Sequence, residues 1–496
     1  MTYKNHYQSM HGGRRVQVGE GRRSPSRPRP RGSLSLRLGA LLLLLTPVGM
    51  EAQETAASAG VPLTLDQAVA EALEGNRGLE AGRARARAAD LSAEAGGGFL
   101  FPGLSAGASV VRTNDPVGVF GTRLRQGRFT EADFALPALN DPDAIDDWGA
   151  SLGVQWDIGN PAKWVEREAA EARADAAGAS AERQQEWTVF RTRLLYVDAL
   201  RAAAALESVE AAEAAARATV DRIRRREGEG MATRADLLQA EAALAEYQAR
   251  VRQVDAGLQE ARDALGDHLG WEPGRVPVPV DGPEILHQRL DLARDEGDAV
   301  APGTEWSRAD LVAGRAGVEA ARADARAVSA ARLPALQAFG MLSTHAPDPA
   351  SGTSSNWTAG VRLSVPLFTG FQLSRGAEAA REGARALALE QDQREREART
   401  ALRSSLRRVE AARGALESAR LAAAAADEAA RLLARRYEEG MATVADLLQA
   451  EARVVQLRTG VVSAEADLGS ALALLAFTRG EIAPASSSDP EATDHE

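Results

Sequence analysis

The residue types that carry most protein chemistry are few in this chain, and they are not grouped. The sequence contains no cysteine, which excludes disulfides, thiol catalysis, cysteine-based zinc sites and lipidation on cysteine. The six histidines have no spacing that suggests a metal site: His6, His11, His268, His287, His345 and His495. No nucleophile–base constellation stands out, and the arginine run Arg222–Arg226 is typical of a solvated helix surface. We therefore expect no catalytic residues, no cofactor and no bound metal.

The acidic residues with the most defined context belong to a repeated motif. Glu229–Ala242 has the sequence Glu-Gly-Met-Ala-Thr-Arg-Ala-Asp-Leu-Leu-Gln-Ala-Glu-Ala, which recurs as Glu439–Ala452. One position differs, with Arg234 in the first copy and Val444 in the second. A match of this length indicates an internal duplication of the chain.

Each copy of the motif predicts the turn of a helical hairpin, with Gly230 or Gly440 at positive φ within an Ala- and Leu-rich helical pattern. Apolar residues then recur at every seventh position after each turn: Leu237, Leu244, Val251, Leu258 and Leu265 in the first copy, and Leu447, Val454, Val461, Leu468 and Leu475 in the second. A seam sustained over about four heptads predicts coiled-coil packing of the returning helix. An ordinary helical-bundle core would also show such a stripe and stays open as an alternative.

Two other regions change from helical periodicity to strict alternation. The apolar positions are Trp148, Ala150, Leu152, Val154 and Trp156 in the first region, and Trp357, Ala359, Val361, Leu363 and Val365 in the second. Partner strands are expected around 104–112 and 335–343. Segments of about ten alternating residues are expected for tilted membrane-spanning strands. A soluble amphipathic hairpin is equally compatible with the pattern, and the long connection 113–147 is expected to be a surface loop with partial order.

The beginning of the chain indicates where the protein is located, and its net charge limits the kinds of partner it can bind. The apolar run Leu38–Leu45 is too short to span a bilayer, follows several arginines and precedes small residues near Ala52. This pattern predicts a secretory signal peptide over residues 1–52. The formal net charge is −11, whereas a nucleic-acid-binding protein would be basic, so we expect no nucleic-acid partner.

Together these patterns predict a mostly α-helical, internally duplicated chain with a small β part, composed of two β-hairpins and long antiparallel coiled-coil helices. The predicted divisions are a signal peptide at 1–52, a first repeat at 53–269, a linker at 270–306, a second repeat at 307–478 and a disordered acidic tail at 479–496. The first repeat holds a β-hairpin at about 103–158 and a helical hairpin at about 161–269. The second holds a β-hairpin at about 335–366 and a helical hairpin at about 371–478.

This element order, used twice, resembles that of the outer membrane efflux protein family, the TolC-like channels. The resemblance covers about 63–478 and rests on Thr64-Leu-Asp-Gln-Ala68, Val365-Pro-Leu-Phe-Thr-Gly370 and the paired Gly-Met-Ala-Thr-x-Ala-Asp-Leu-Leu turns. It implies a homotrimer in outer-membrane lipid, with a twelve-strand β-barrel continued into the periplasm by an α-helical barrel. Physical reasoning agrees, because four strands cannot enclose a pore and open strand edges are not tolerated in lipid.

The resemblance also implies a function. Such a protein is the passive exit duct of a tripartite efflux pump or a type I secretion system, opened at its periplasmic tip by an adaptor and an inner-membrane pump. It is not an enzyme. A structural periplasmic coiled-coil protein and a periplasmic adaptor stay open as alternatives, although an adaptor needs lipoyl-like segments around a single hairpin. The transported substrate and the identities of pump and adaptor are not indicated.

The implied site residues lie at the two turns. The adaptor-facing positions are Gly230, Met231, Thr233, Leu237, Gly440, Met441, Thr443 and Leu447. The implied periplasmic gate comprises Tyr437 at the family's aromatic position, Asp236 as its partner, Asp446 in the inner acidic ring, and Gln449 at the second acidic position. Ala442 occupies the position of the family's arginine, which together with Gln449 implies a weaker lock. We hypothesise that the Tyr437 hydroxyl donates a hydrogen bond to Asp236. Alternatively, Asp236 and Asp446 cap their returning helices.

Overall fold

The computed structural model describes residues 60–282, 286–288, 290 and 308–480. The predicted signal peptide lies outside the described residues, as do most of the predicted acidic tail and residues 291–307 of the predicted linker.

The described chain is mostly helical. Its helices are α1 Leu65–Gly75, α2 Arg77–Gly96, α3 Pro116–Arg125, α4 Leu136–Asn140, α5 Pro161–Gly228, α6 Arg234–Leu269, α7 Ala309–Ala330, α8 Gln372–Glu438 and α9 Val444–Arg479. Its strands are β1 Val61–Leu63, β2 Gly103–Thr113, β3 Ile145–Gly159, β4 Pro277–Pro279, β5 Ala335–Ala346 and β6 Ser354–Ser364.

Two helical hairpins account for most of the length. Helices α5 and α8 contain 68 and 67 residues, and each is therefore about 100 Å long. Helices α6 and α9 contain 36 residues each and pack back against α5 and α8. The heptad positions are buried or half-buried along both returning helices, so the predicted seam is confirmed. The rest of α5 packs against α2 and α7, and α7 also packs against α8.

The last helix, α9, is long and apolar enough to cross a membrane by length and composition alone. It is, however, the returning helix of the second hairpin. Leu447, Leu468 and Leu472 on this helix are almost fully buried against the other helices. Its apolar character is therefore explained by helix packing.

A buried junction connects the middle of the molecule. Tyr196 on α5 is fully buried, and its hydroxyl donates to a carboxylate oxygen of Asp281 at 2.9 Å or to the carbonyl oxygen of Leu63 at the same distance. These contacts hold β1 and β4 together as a two-stranded parallel sheet that the sequence analysis does not predict. Nearby, the backbones of Gly75 and Gly270 touch, because a β-carbon on either would lie 2.3 Å from a carbonyl oxygen.

The four long strands form one antiparallel sheet in the order β2-β3-β5-β6. Leu152 pairs with Leu342, which pairs with Trp357, so the apolar positions of both hairpins share one face. The opposite face carries small and polar residues, as in the pairing of Gly149 with His345. The predicted alternation is confirmed, and β2 and β6 are the two edges of the sheet.

The connection between β2 and β3 is a folded unit. It contains α3, α4 and an intervening 3₁₀ turn. Phe129 makes edge-on contacts with Phe120 and Phe134, at centroid distances of 4.8 Å and 5.1 Å. This unit is more ordered than a simple surface loop.

Candidate functional site

The turns at the two hairpin tips have the same backbone structure. Gly230 and Gly440 adopt φ angles of 75° and 74°, as predicted for left-handed turn glycines. In the first turn, the N–H of Met231 donates to the carbonyl oxygen of Arg226 at 2.7 Å, and the second turn repeats this bond at the same length. Both are Schellman motifs, which end a helix by satisfying its last carbonyls.

The acidic residues after each turn cap the returning helices. A carboxylate oxygen of Asp236 accepts hydrogen bonds from the backbone and hydroxyl of Thr233, at 2.9 Å and 2.8 Å. Asp446 accepts the same pair from Thr443, at 3.0 Å and 2.7 Å. The Thr443 hydrogen bonds, first the hydroxyl and then the backbone, lower the pKa of Asp446 from its usual value. The capping role left open for these two acids is therefore confirmed.

Apolar residues of both hairpins meet just behind the turns. We call this group the tip cluster: Val220, Ile223, Leu237, Ala240, Tyr437, Val444 and Leu447. Leu237 and Leu447, predicted as adaptor-facing, are thus buried and join the hairpins to each other. Met231 and Met441 are 59% and 66% exposed, and the turn glycines and capping threonines are exposed as well.

Tyr437 contacts a residue that the sequence analysis does not identify. The guanidinium carbon of Arg226 lies 4.8 Å from the centroid of the Tyr437 ring, and Arg226 Nη1 donates to the Tyr437 carbonyl oxygen at 2.9 Å. Within the described part of the chain, no hydrogen bond joins the Tyr437 hydroxyl to Asp236. The physical reason is that the Asp236 carboxylate is turned toward Thr233 at its own helix start. The hypothesised hydrogen bond is therefore not present among the described residues, and it stays a prediction.

The two repeats differ at the tip in a paired manner. In the first hairpin, Glu227 and Arg234 approach as an ion pair at 4.0 Å. The corresponding residues of the second hairpin are Tyr437 and Val444, which are both buried in the tip cluster. The exchange replaces a charged pair with an apolar pair, so the second turn packs inward where the first is solvated.

A second polar contact joins the hairpins about two helical turns farther from the tip, at Thr219 on α5. The hydroxyl of Thr219 donates to a carboxylate oxygen of Glu451 at 2.9 Å. Glu451 borders a cavity of about 580 Å³ between the returning helices, and burial raises the pKa of its carboxyl group. The corresponding residue of the first repeat, Glu241, is instead paired with Arg224 at 3.1 Å.

These contacts revise the predicted set of site residues. The arginine run is typical of a solvated surface, so the pattern does not single out Arg226, and nothing in it singles out Thr219 or Glu451. The exchange of Glu227 and Arg234 for Tyr437 and Val444 is a sequence signal that could have identified an inter-hairpin contact. Gln449 is exposed and lies outside the tip cluster.

The arrangement is suited to a mechanical task. The described residues contain no group of three or more His, Cys, Asp or Glu side chains that could hold a metal ion. What the tips provide is a set of weak contacts between the two hairpins, which also pack together more extensively where α5 meets α9: one cation–π contact, two hydrogen bonds and a small apolar cluster. Contacts of this strength can be broken and remade without unfolding the hairpins.

The sequence is similar to proteins of one known family. Residues 68–270 and 305–481 match the sequence model of the family described as outer membrane efflux protein. The fusaric acid resistance protein FusA of Burkholderia cepacia is 28% identical over 337 residues, covering 65% of this chain and 58% of FusA. The outer membrane protein TolC of Vibrio cholerae is 23% identical over 332 residues, covering 66% and 75%. The alignment with FusA therefore spans less than two thirds of that relative's length.

Among solved structures, the outer membrane protein VceC of Vibrio cholerae superposes with a TM-score of 0.67 at 20% identity, covering 84% of this chain and 96% of VceC. The likeness shows a shared fold. The family match includes both repeats, which excludes the periplasmic adaptor and the structural coiled-coil alternatives. An outer-membrane location with helices reaching into the periplasm follows, as does the absence of an enzymatic role. On the strength of both matched segments, this chain belongs to the outer membrane efflux protein family.

Proposed function

We propose that the protein is the outer-membrane exit duct of a tripartite efflux pump or a type I secretion system. In this role it is a passive homotrimeric channel that a periplasmic adaptor and an inner-membrane pump open and use. The observation that carries the proposal is the direct continuation of a four-stranded sheet, open at both edges, into helical hairpins about 100 Å long. Such hairpins are long enough to extend well into the periplasm.

The open edges support association with further copies. Strands β2 and β6 each have one unpaired side within the described sheet, and unpaired backbone groups are costly in lipid. Pairing β6 of one copy with β2 of the next removes these edges. A closed barrel of twelve strands from three copies would leave room for a pore, whereas eight strands are filled by their own side chains.

The hairpin tips are proposed as the gate and as the adaptor contact. Tyr437, Asp236, Asp446 and Gln449 lie at or beside the tips, and Arg226 adds the contact that links the two hairpins. The exposed methionines suit adaptor docking, because their flexible side chains adapt to a partner surface: Met231 and Met441.

The name of one relative guides the choice of substrate for a first assay. FusA is named for fusaric acid resistance, which favours export of small toxic compounds over protein secretion. Growth of cells that express the protein with its pump, in the presence of such compounds, would test this assignment.

The direct test is the mass of the purified mature chain, residues 53–496, in detergent, combined with its conductance in planar bilayers. A trimer with small, discrete conductance supports a channel closed at its tips. A monomer or dimer that never inserts into the bilayer would overturn the proposed function.

A further inference from the structure

The connection between β2 and β3 folds back onto the sheet. Gln126, just after α3, donates from Nε2 to a carboxylate oxygen of Asp147 at 3.0 Å. Asn356 on β6 donates from Nδ2 to the carbonyl oxygen of Arg125 at 3.2 Å. Gly127 lies against Ser354, because a β-carbon at Gly127 would be 3.7 Å from the β-carbon of Ser354. The segment therefore reaches from β2, at one edge of the sheet, to β6, at the other.

All of these sheet contacts lie on one face. Gly149 pairs with His345, and His345 pairs with Ser354, so these residues share a face. Ser343 pairs with Asn356 on the same face, and Asp147 belongs to it by alternation from Gly149. This is the small and polar face, opposite the face of Leu152 and Trp357. In a membrane barrel the apolar face meets lipid and the polar face lines the pore.

The segment is held as a firm unit. Thr130 donates from its backbone and hydroxyl to Asp133 at 2.7 Å and 2.9 Å, and Arg123 forms an ion pair with the same carboxylate. Gln126 and Asp147 are only 7% and 8% exposed, so the contact with the sheet excludes most solvent. Asp147 also contacts His345 at 2.8 Å. Buried, paired polar groups of this kind fix one position for the segment.

We infer that residues 114–144 are a lid that narrows the outer mouth of the pore. The lid is a second constriction, at the end of the molecule opposite the helical tips, and it limits the size of what can pass the outer mouth. The inference rests on the proposed channel role, since a lid requires a pore. In a symmetric assembly every copy contributes one lid to the same mouth.

The position of the lid is tested with a disulfide, because the chain has no native cysteine. The separation of 3.7 Å between β-carbons at Gly127 and Ser354 lies within the range of a disulfide bond, and a cysteine at position 127 must adopt the left-handed φ of 64° that Gly127 has. We expect the double variant Gly127→Cys/Ser354→Cys to form this bond within one chain in the outer membrane. The matched control pairs Ser354→Cys with Val117→Cys, whose position on α3 is 79% exposed and should form no bond. Equal bond formation in both pairs would overturn the placement of the lid, as would the absence of the bond when the single variant Gly127→Cys assembles in the outer membrane at the parent level.

The constriction is tested by labelling a cysteine beneath the lid in intact cells. Met341 pairs with Gly153 on the pore face, so Met341→Cys is reached from outside only past the lid. We expect a small maleimide to label it readily, a bulky polymer maleimide to label it slowly, and Gln126→Ala to increase the bulky labelling several-fold. Val117→Cys, on the outer surface, should accept both reagents in either background.

The outcomes separate the two proposals. If bulky labelling of Met341→Cys is as fast as that of Val117→Cys with the lid intact, or if Gln126→Ala leaves it unchanged, the lid inference is wrong. If neither reagent labels Val117→Cys on intact cells, the chain does not expose this end at the cell surface, and the channel role fails with it.

Discussion

Arg226 of the first helical hairpin lies over the ring of Tyr437 in the second and also donates to the Tyr437 main-chain carbonyl. A cation–π contact contributes about 0.5–2 kcal/mol, depending on how far it is desolvated. The hydrogen bond does not depend on the Tyr437 side chain, because its acceptor is backbone. Both contacts depend on the Arg226 side chain, whereas only the cation–π contact depends on the Tyr437 side chain.

Replacing Arg226 should loosen the tips. We expect Arg226→Ala to remove both contacts and to raise the single-channel conductance or the open probability in planar bilayers. Tyr437→Phe should change conductance little, because the ring and the backbone acceptor both remain. A large increase in the conductance of Tyr437→Phe would instead support the hypothesised hydrogen bond between the Tyr437 hydroxyl and Asp236. That bond would then form in a state other than the one described here.

The duplication supplies the control for this experiment. Arg436 is the repeat counterpart of Arg226 and is exposed. Arg436→Ala removes the same charge from the same kind of turn without breaking a contact between hairpins. Equal effects of the two substitutions would mean that net charge, rather than the Tyr437 contact, sets the conductance.

Glu451 should make the protein less stable at neutral than at mildly acidic pH. Burial raises its carboxyl pKa above the usual 4.5, while the charge of Arg222 and the Thr219 hydrogen bond oppose this shift. The folded state therefore binds a proton at a pH where the unfolded state has already lost it. The resulting penalty is absent below the unfolded-state pKa, grows as the pH rises from that value toward the folded-state pKa, and is fully present above the folded-state pKa.

We accordingly expect Glu451→Gln to melt at a higher temperature than the parent at pH 7.5, with the difference shrinking toward pH 5. Glu241→Gln, at the corresponding position of the first repeat, should have little effect, because exposed ion pairs contribute about 0–1 kcal/mol. Thermal melts of the three proteins at the two pH values decide the matter. A pH-independent difference for Glu451→Gln would contradict the assignment.

Arg234 and Val444 occupy equivalent positions in the two repeats, but we expect that Val444 cannot be replaced by arginine without loss of stability. Val444 is 4% exposed within the tip cluster, so Val444→Arg places a charge among apolar side chains. We expect a loss of roughly 1–3 kcal/mol of stability and a raised conductance. Arg234→Val removes only a long, exposed ion pair and should be close to neutral. Similar behaviour of both variants in melts and bilayers would show that the cluster does not hold the tips.

Neighbouring positions on β3 should respond oppositely to charge. Leu152 lies on the apolar face and Ser151 on the polar face. An arginine facing lipid near the bilayer midplane costs about 2–4 kcal/mol, whereas one facing the lumen is tolerated. We expect Leu152→Arg to reduce the amount of assembled protein in the outer membrane, and Ser151→Arg to assemble and alter ion selectivity. The reverse result would mean that the sheet faces are assigned the wrong way round.

Because the backbones of Gly75 and Gly270 touch at the central junction, we expect the effect of a Gly→Ala substitution on stability to depend strongly on its position. A β-carbon at Gly75 would lie 2.3 Å from the carbonyl oxygen of Leu269, so Gly75→Ala requires a backbone shift and should destabilise the protein by about 1–3 kcal/mol. Gly178, within α5, has nothing within 4 Å of its β-carbon position. Gly178→Ala should stabilise by about 0.5–1 kcal/mol through helix propensity. Denaturant unfolding of both variants gives the comparison.

Local patterns were sufficient for much of this fold. Thr64 and Gln67 form a capping box, which their three-residue spacing indicates, and the alternation around Leu152 and Trp357 correctly assigns a shared apolar face. These features depend on residues within one or two turns or on strict period-2 spacing, which a sequence displays directly. Both turns and their left-handed glycines were predictable for the same reason.

Contacts between distant elements were not predictable in this way. The pairing of Val61–Leu63 with Pro277–Pro279 involves three residues on each side and depends on Tyr196, far from both in sequence. The contact of Tyr437 with Arg226 was not predictable for a related reason. Arg226 belongs to the other hairpin, and only the lateral packing of the hairpins shows which of several arginines points inward.

The strand order has a consequence for the synthesis and export of the chain. The central pairing of β3 with β5 joins residues up to 198 positions apart, as at Trp148 and Ala346. Since long-range pairing is slow and exposed strand edges promote aggregation, the first β-hairpin must wait with an open edge until the second half has been translocated. The protein is therefore expected to need protection by a periplasmic chaperone during this interval, and truncation after the first repeat should yield an aggregating fragment rather than half a channel.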